Sequence, residues 1–488
     1  MKRFLSLILI VVMVLSLVAC GGNAQQPGES NGEVDLLAQL KDGQMLVGYA
    51  KVDITPEDSV PLTGFGNTDQ RMSEGYQTPI FATCIFLTDK EGNSAVIIGY
   101  DLTSSKSGAV KGVGNSISEK YDIPAENIVQ CASHMHSGPD LSSSILSIQR
   151  YIPIFAEKVM NMVEEARNDR SPADLYTATT VTEGLNFIRT YILQAPDGSL
   201  MYAGYQSDIK DTGYPVVGYE SEPDRDLGLL KFDREEGKSD VLLANFQTHP
   251  HRGDGGSNKL INANIPGAFR DEMKDKLGYD CVYIIGASGN INPETPIAEE
   301  NITKNFMEQG KALAKYAIDA EDSYVKINGG TIKATSAEFQ AAVNHADEEL
   351  LPIALEAQAL WVKTNSVAAV RAEFLDDGIH SPYHANAIIN RSKQTENKAF
   401  TVWAVAFGDV GIAVAPYEMY DTNGMFIKEN SHYKFTIVST CSNGANGYFP
   451  SDLAFDHGGY EVDITTYERG SAEKLADLYV SLLTELSK

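Results

Sequence analysis

Four histidines stand in two i, i+2 pairs, each just after an apolar run. His134 and His136 lie in the stretch 127–140, which reads Asn-Ile-Val-Gln-Cys-Ala-Ser-His-Met-His-Ser-Gly-Pro-Asp. His249 and His251 lie in Gln-Thr-His-Pro-His-Arg-Gly-Asp. In an extended segment this spacing turns both imidazoles to one face. Two neutral imidazoles side by side suit a zinc ion, or one metal ligand beside one acid/base group. The plain alternative is a half-buried strand whose polar face happens to carry two histidines. A hydrolytic zinc site commonly adds a carboxylate and leaves room for water. Glu418 follows a hairpin and is the candidate carboxylate. Pro250 turns His251 away from its neighbour and makes it a rim histidine. His345, His380, His384, His432 and His457 lack a strand-end setting and read as surface or satisfied loop histidines.

The elements that must hold these groups are legible as β-rich runs ending in polar loops. The run 128–132 leads to the first histidine pair, and 241–246 leads to the second. A third run, 281–285, ends in Gly286-Ala-Ser-Gly-Asn-Ile-Asn-Pro293. Three strands ending in loops rich in Gly, Pro, His and Asn form the rim of an α/β active site. Runs at 80–87 and 94–100 flank the turn Asp89-Lys-Glu-Gly92, and Asp101 follows at once. Asp101 reads either as a carboxylate orienting an imidazole or as a cap on the next helix. Helical spacing marks 152–167, 300–320 and 471–486. Residues 330–375 read as strand, helix and strand. Residues 190–225 have no clear period and read as a long surface excursion over the cleft. No repeat or composition break follows residue 45. The expected architecture is α/β (α+β): mixed β-sheets flanked by helices in one large domain over 44–488.

Composition sets the outer limits. An apolar fraction of 43% and a charged fraction of 22% suit a globular chain with a sizeable core. A formal net charge of −27 excludes nucleic acid as a natural partner. Lys2-Arg3, the apolar run 4–18 and Leu-Val-Ala-Cys20 have the layout of a secretory signal. The motif resembles a bacterial lipobox, with Cys20 as the lipidated first residue. The expectation is a signal segment over 1–20, a flexible tether over 21–43, and a lipid-anchored protein outside the cytoplasm in the bacterial cell envelope. Cys84, Cys131, Cys281 and Cys441 show no Cys-x-x-Cys spacing and read mainly as buried thiols.

His134-Met-His136-Ser-Gly-Pro resembles the His-Thr-His-Ser-Gly-Pro motif of the neutral/alkaline (non-lysosomal) ceramidases. Gly48-Tyr-Ala-Lys-Val-Asp-Ile-Thr-Pro56 resembles that family's opening, and Asn245-Phe-Gln-Thr-His249-Pro its second histidine motif. Gly286 to Pro293, Pro416-Tyr-Glu418 and Asn446-Gly-Tyr448 match its later blocks, in family order. The resemblance implies zinc held by His134, His249, Glu418 and Tyr448. It implies His136 as the acid/base or orienting imidazole, Arg189 as a substrate-reaching cation, and Tyr460 as a further active-site residue. The implied reaction is hydrolysis of an N-acyl amide, ceramide-like or a related lipid amide, with Tyr448 and Arg189 facing the oxyanion. Four departures stand out: Met135 for Thr, Asp140 for Gly, Tyr417 for Gly and Asn290 for Asp. The resemblance further implies a catalytic domain alone, with no immunoglobulin-like domain expected after it. Another lipid amide or an ester therefore stays open as substrate.

Two other readings compete. A solute-binding lipoprotein predicts two similar lobes and no metal cluster. A zinc hydrolase acting on another amide or ester predicts the same ligands with a different substrate wall. An amidohydrolase barrel would need regular β–α alternation, which the hairpins and the 190–225 excursion interrupt.

Overall fold

The computed structural model describes residues 36–65, 71–235 and 237–488. The signal segment, Cys20 and most of the proposed tether lie outside the described residues. Within 36–43, Leu40 is buried and the Gly43 carbonyl accepts from the Gly329 N–H at 2.8 Å. Among the described residues, no helix is long and apolar enough to cross a membrane.

The first sheet has nine strands. Eight run in the spatial order Asp280–Ile285, Val241–Phe246, Asp226–Arg234, Ser171–Val181, Met45–Asp53, Phe81–Thr88, Ser94–Tyr100 and Ile128–Ala132. Val325–Ile327 also pairs with Ser171–Val181. The pairs at the two ends of the order are parallel, and the interior pairs are antiparallel. A second sheet orders Ile332–Ala341, Lys398–Phe407, Val410–Val414 and Phe435–Ser439. One hydrophobic cluster holds Val47, Ile85 and Val96 of the first sheet together with Phe407, Ile412 and Ile437 of the second. A shared core of this kind makes the two sheets one folding unit.

Sequence explains the packing locally. Helix Leu146–Asn168 buries Ile148, Tyr151, Phe155, Val159, Met162, Val163 and Ala166, a stripe at helical spacing. It lies so close to the first strand that a Cβ on Gly48 would sit 1.8 Å from the Ala166 carbonyl oxygen. Only glycine permits that approach.

Several expectations change. The segment after residue 365 is not a strand but the helix Val367–Phe374, capped by Ser366 and followed by helix Pro382–Arg391. Asn365 in the left-handed region ends the preceding helix, so the apolar residues at 367, 370 and 374 fall on a helical rather than an alternating period. The excursion 190–225 carries its own small sheet, Leu200–Ala203, Tyr191–Gln194 and Val216–Tyr219, around buried Tyr191 and Leu193. The helix expected from residue 300 begins at Phe306, where the Asn305 side chain accepts from the Glu308 N–H, and Ile302 is exposed. Asp101 plays neither expected role. Its carboxylate accepts from Arg270 at 2.5 and 2.9 Å, and Ser107 caps the next helix.

Candidate metal centre

Residues 440–441, just past the strand Phe435–Ser439, bridge the two ends of the large sheet. The Thr440 N–H donates to Ile285 O at 3.1 Å, and the Ala132 N–H donates to Cys441 O at 3.2 Å. Asn245 Nδ2 reaches Val438 O at 3.0 Å. The ends of the strands 128–132, 241–246 and 280–285 are thereby drawn around one point, and the histidine loops leave from there.

His134 and His136 do meet, with ring centroids 5.0 Å apart, but not through strand geometry. The strand stops at Ala132, and His134 has φ +65°, in the left-handed region. That backbone is costly for a non-glycine residue and gathers at functional sites. The His134 N–H donates to Leu102 O at 2.9 Å and holds the turn. On the far side of His136, a Cβ on Gly64 would fall 2.5 Å from the His136 Cβ. Arg71 hydrogen-bonds the His136 carbonyl.

His134 Nδ1 donates to Thr103 O at 2.8 Å. His249 Nδ1 lies 2.8 Å from Ser288 O and 3.0 Å from Ile291 O. Each carbonyl contact fixes the tautomer and leaves Nε2 with a lone pair. Those Nε2 atoms stand 3.2 Å (His134) and 3.3 Å (His249) from Glu418 Oε2, yet none of the three buried atoms has an aligned hydrogen bond. A proton on His134 would satisfy Glu418 but leave His249 Nε2 without a partner. One divalent cation would satisfy all three, so the residues fit a metal. His136 also offers a ring nitrogen within 4.8 Å of those of His134 and His249. Burial lowers His249 to about 4 and, with the neighbouring imidazoles, pushes His136 well below its usual value, so both rings are neutral at pH 7.

Glu418 and Tyr448 are register partners in a short parallel pair, and the Glu418 N–H donates to Gly447 O at 2.9 Å. The Tyr448 ring lies 5.4 Å from the Arg189 Cζ. Arg189 is set by a two-residue pairing of Phe187–Ile188 with Ile291–Asn292, and its guanidinium bonds the Gly289 carbonyl. Tyr460 stands behind Tyr448 with ring centroids 6.2 Å apart, and Tyr205 and Tyr383 flank it at 6.1 and 6.3 Å. His251 is not turned away. Its ring lies 5.2 Å from that of His136 and 5.6 Å from that of His249.

Glu461 is the group that sequence reading missed. It is buried and reaches Arg189 Nη2 at 2.6 Å. Burial raises it to about 6, against the pull of Arg189. Its position directly after Tyr460 was the available signal. The four departures also find physical roles. Asn290 donates to Asp421 Oδ1 at 2.7 Å and accepts from the Asp421 N–H at 3.0 Å, a reciprocal pair that a carboxylate at 290 could not make. Tyr417 packs on Phe449 at 4.6 Å in the second core. Met135 is fully buried, against Gly138. Asp140 accepts from the Ser142 N–H at 2.9 Å. The four described cysteines are free and buried.

The fold matches solved structures of ceramidases. The crystal structure of neutral ceramidase from Pseudomonas aeruginosa aligns with a TM-score of 0.67 and 16% identity, over 91% of this chain and 75% of that one. A ceramidase complexed with C2 aligns with a TM-score of 0.67 and 15% identity, over 91% and 76%. No family model matches the chain, and no curated protein matches it. The architecture is a neutral-ceramidase-like α/β fold, with mixed sheets flanked by helices.

Proposed function

We propose that the protein is a zinc-dependent hydrolase of N-acyl amides, with ceramide-like lipid amides as the leading substrate class. One observation carries the reading: two tautomer-fixed Nε2 atoms and one carboxylate oxygen converge, buried, without hydrogen-bond partners. His134, His249 and Glu418 would hold the ion, with Tyr448 alongside. A bound zinc ion supplies Lewis acidity and brings water within reach of ionisation near pH ~7. The chain's own groups supply the rest. His136, neutral and half-buried, with its Nδ1 buried and unpartnered, receives a proton and returns it to the leaving amine. The Tyr448 hydroxyl and the Arg189 guanidinium face developing negative charge on the carbonyl oxygen. Tyr460, Tyr205 and Tyr383 form an aromatic wall that keeps bulk water away and offers apolar surface to an acyl chain. Cys20 in its lipobox-like setting would tether the enzyme to the envelope membrane, where such substrates reside.

The test is metal analysis of the purified protein, followed by a panel of N-acylated amines and matched esters with and without chelator. Zinc bound at His134, with chelator-sensitive release of fatty acid from the amides, supports the reading. Ester turnover alone moves the substrate class. Absence of both metal and turnover, with tight binding of a small solute, replaces it with a transport role.

A further inference from the structure

Away from the catalytic cluster, His380, His384 and Asp463 each place one ligand atom within 4.8 Å of the others. His380 lies in the turn between helices Val367–Phe374 and Pro382–Arg391, and His384 in the first turn of the latter. Asp463 belongs to the helix Tyr460–Ile464, whose start sends Tyr460 and Glu461 toward the catalytic site. We propose a second divalent-metal site, of the zinc class, at His380, His384 and Asp463.

The tautomer of His384 is the leading observation. Its Nε2 lies 3.0 Å from Asp347 Oδ2, and Arg391 bonds the same oxygen at 2.7 Å. Nε2 therefore donates, and Nδ1 keeps its lone pair. This carboxylate–histidine arrangement is the one that orients histidine ligands to metals. His384 is 3% exposed, and its Nδ1 has only a long 3.4 Å approach from the His380 N–H. It faces Asp463 Oδ2 at 3.7 Å, one acceptor toward another. His380 Nδ1 is 2.6 Å from that same oxygen, and the Tyr205 hydroxyl is also at 2.6 Å. Two imidazoles, a carboxylate and an adjacent phenol repeat the donor types of the catalytic centre. Both neighbouring guanidiniums are committed elsewhere: Arg371 to Asp208 at 2.6 Å and Asp211 at 2.7 Å, and Arg391 to Asp347 and to the backbone carbonyls of Asp463 and Thr465. Binding would release the proton that His380 shares with Asp463 to solvent, so affinity should rise with pH. The ion would staple the start of helix Pro382–Arg391 and the 190–225 excursion, through Tyr205, to the helix that positions Glu461.

The experiment is metal stoichiometry of the full chain after equilibration with zinc and desalting. The comparison set is wild type, H134A/H249A and H380A/H384A, with folding checked by circular dichroism. Two ions in wild type, and one in each double variant, is the expected result. H380A/H384A retaining the wild-type stoichiometry overturns the proposal. D463N, and an anomalous difference map of zinc-soaked wild-type crystals, decide the matter if H380A/H384A does not fold. A peak between His380 and His384 supports the site, and its absence overturns it. Because H134A/H249A empties only the catalytic centre, failure of the hydrolase reading and failure of this site are separable.

Discussion

At the scale of single residues, Arg189 and Glu461 are the pair with most at stake. Glu461 is buried, Arg189 is largely shielded, and the two touch at 2.6 Å. Removing one partner of a buried pair leaves an uncompensated charge, at a cost of about 3–5 kcal/mol. R189A should destabilise the protein by that order, and R189A/E461Q should recover much of the loss. Denaturant titrations of the four-member cycle measure the coupling, and additive effects would dissolve the pair. Asp421 gives a pH-dependent prediction. Burial raises its carboxyl from 3.8 to about 6, against the Asn290 hydrogen bond. Between those values the folded state binds more protons than the unfolded state, so stability is lost as pH rises through the window. Asn at 421 does not titrate. The stability of D421N relative to wild type should therefore climb by about 2 kcal/mol from pH 4 to pH 6.5, at ~1.4 kcal/mol per unit over the middle of the window. A flat difference would reject the raised pKa.

At the scale of elements, the site depends on insertions packed edge to edge. The end of the small sheet meets the turn before Tyr460 through two glycines: a Cβ on Gly204 would lie 2.3 Å from the Gly459 Cα. Gly204 has no left-handed backbone to lose, so G204A isolates the steric effect. It should cost about 1–3 kcal/mol, the usual range for overpacking, and should speed amide exchange across residues 191–219. G218A in the same small sheet meets only Ile192 Cδ1 at 3.9 Å and serves as the control. Equal exchange in both variants would mean that the contact does not hold the excursion. Sequence reading failed here for a definable reason. The strands at 191–194, 200–203 and 216–219 are four residues each, too short to show a period. Their pairing depends on contacts with the main body.

At the scale of the whole molecule, the proposed metal ligands belong to segments that only the shared core brings together. Metal binding should therefore stabilise the fold as a whole, by about 2.7 kcal/mol when free metal is a hundredfold above the dissociation constant. Zinc should raise the thermal midpoint of wild type, and the gain should fall in H134A/H249A. An equal gain in both would place the stabilising ion elsewhere.

Much of this was legible in the residues alone. Apolar runs ending in His134, His249 and the 286–293 loop declared a rim, because strand periodicity and turn chemistry are local properties. Glu418, Tyr448 and Arg189 were reachable through motif order. The left-handed turn at His134 was not, since it rests on the bond to Leu102 across the chain. Nor was the Arg189–Glu461 pair, nor the meeting of His380 and His384 with Asp463. Local patterns report which groups can do chemistry. Convergence of lone pairs depends on strand order and on insertions distant in sequence, and only the tertiary structure decides it.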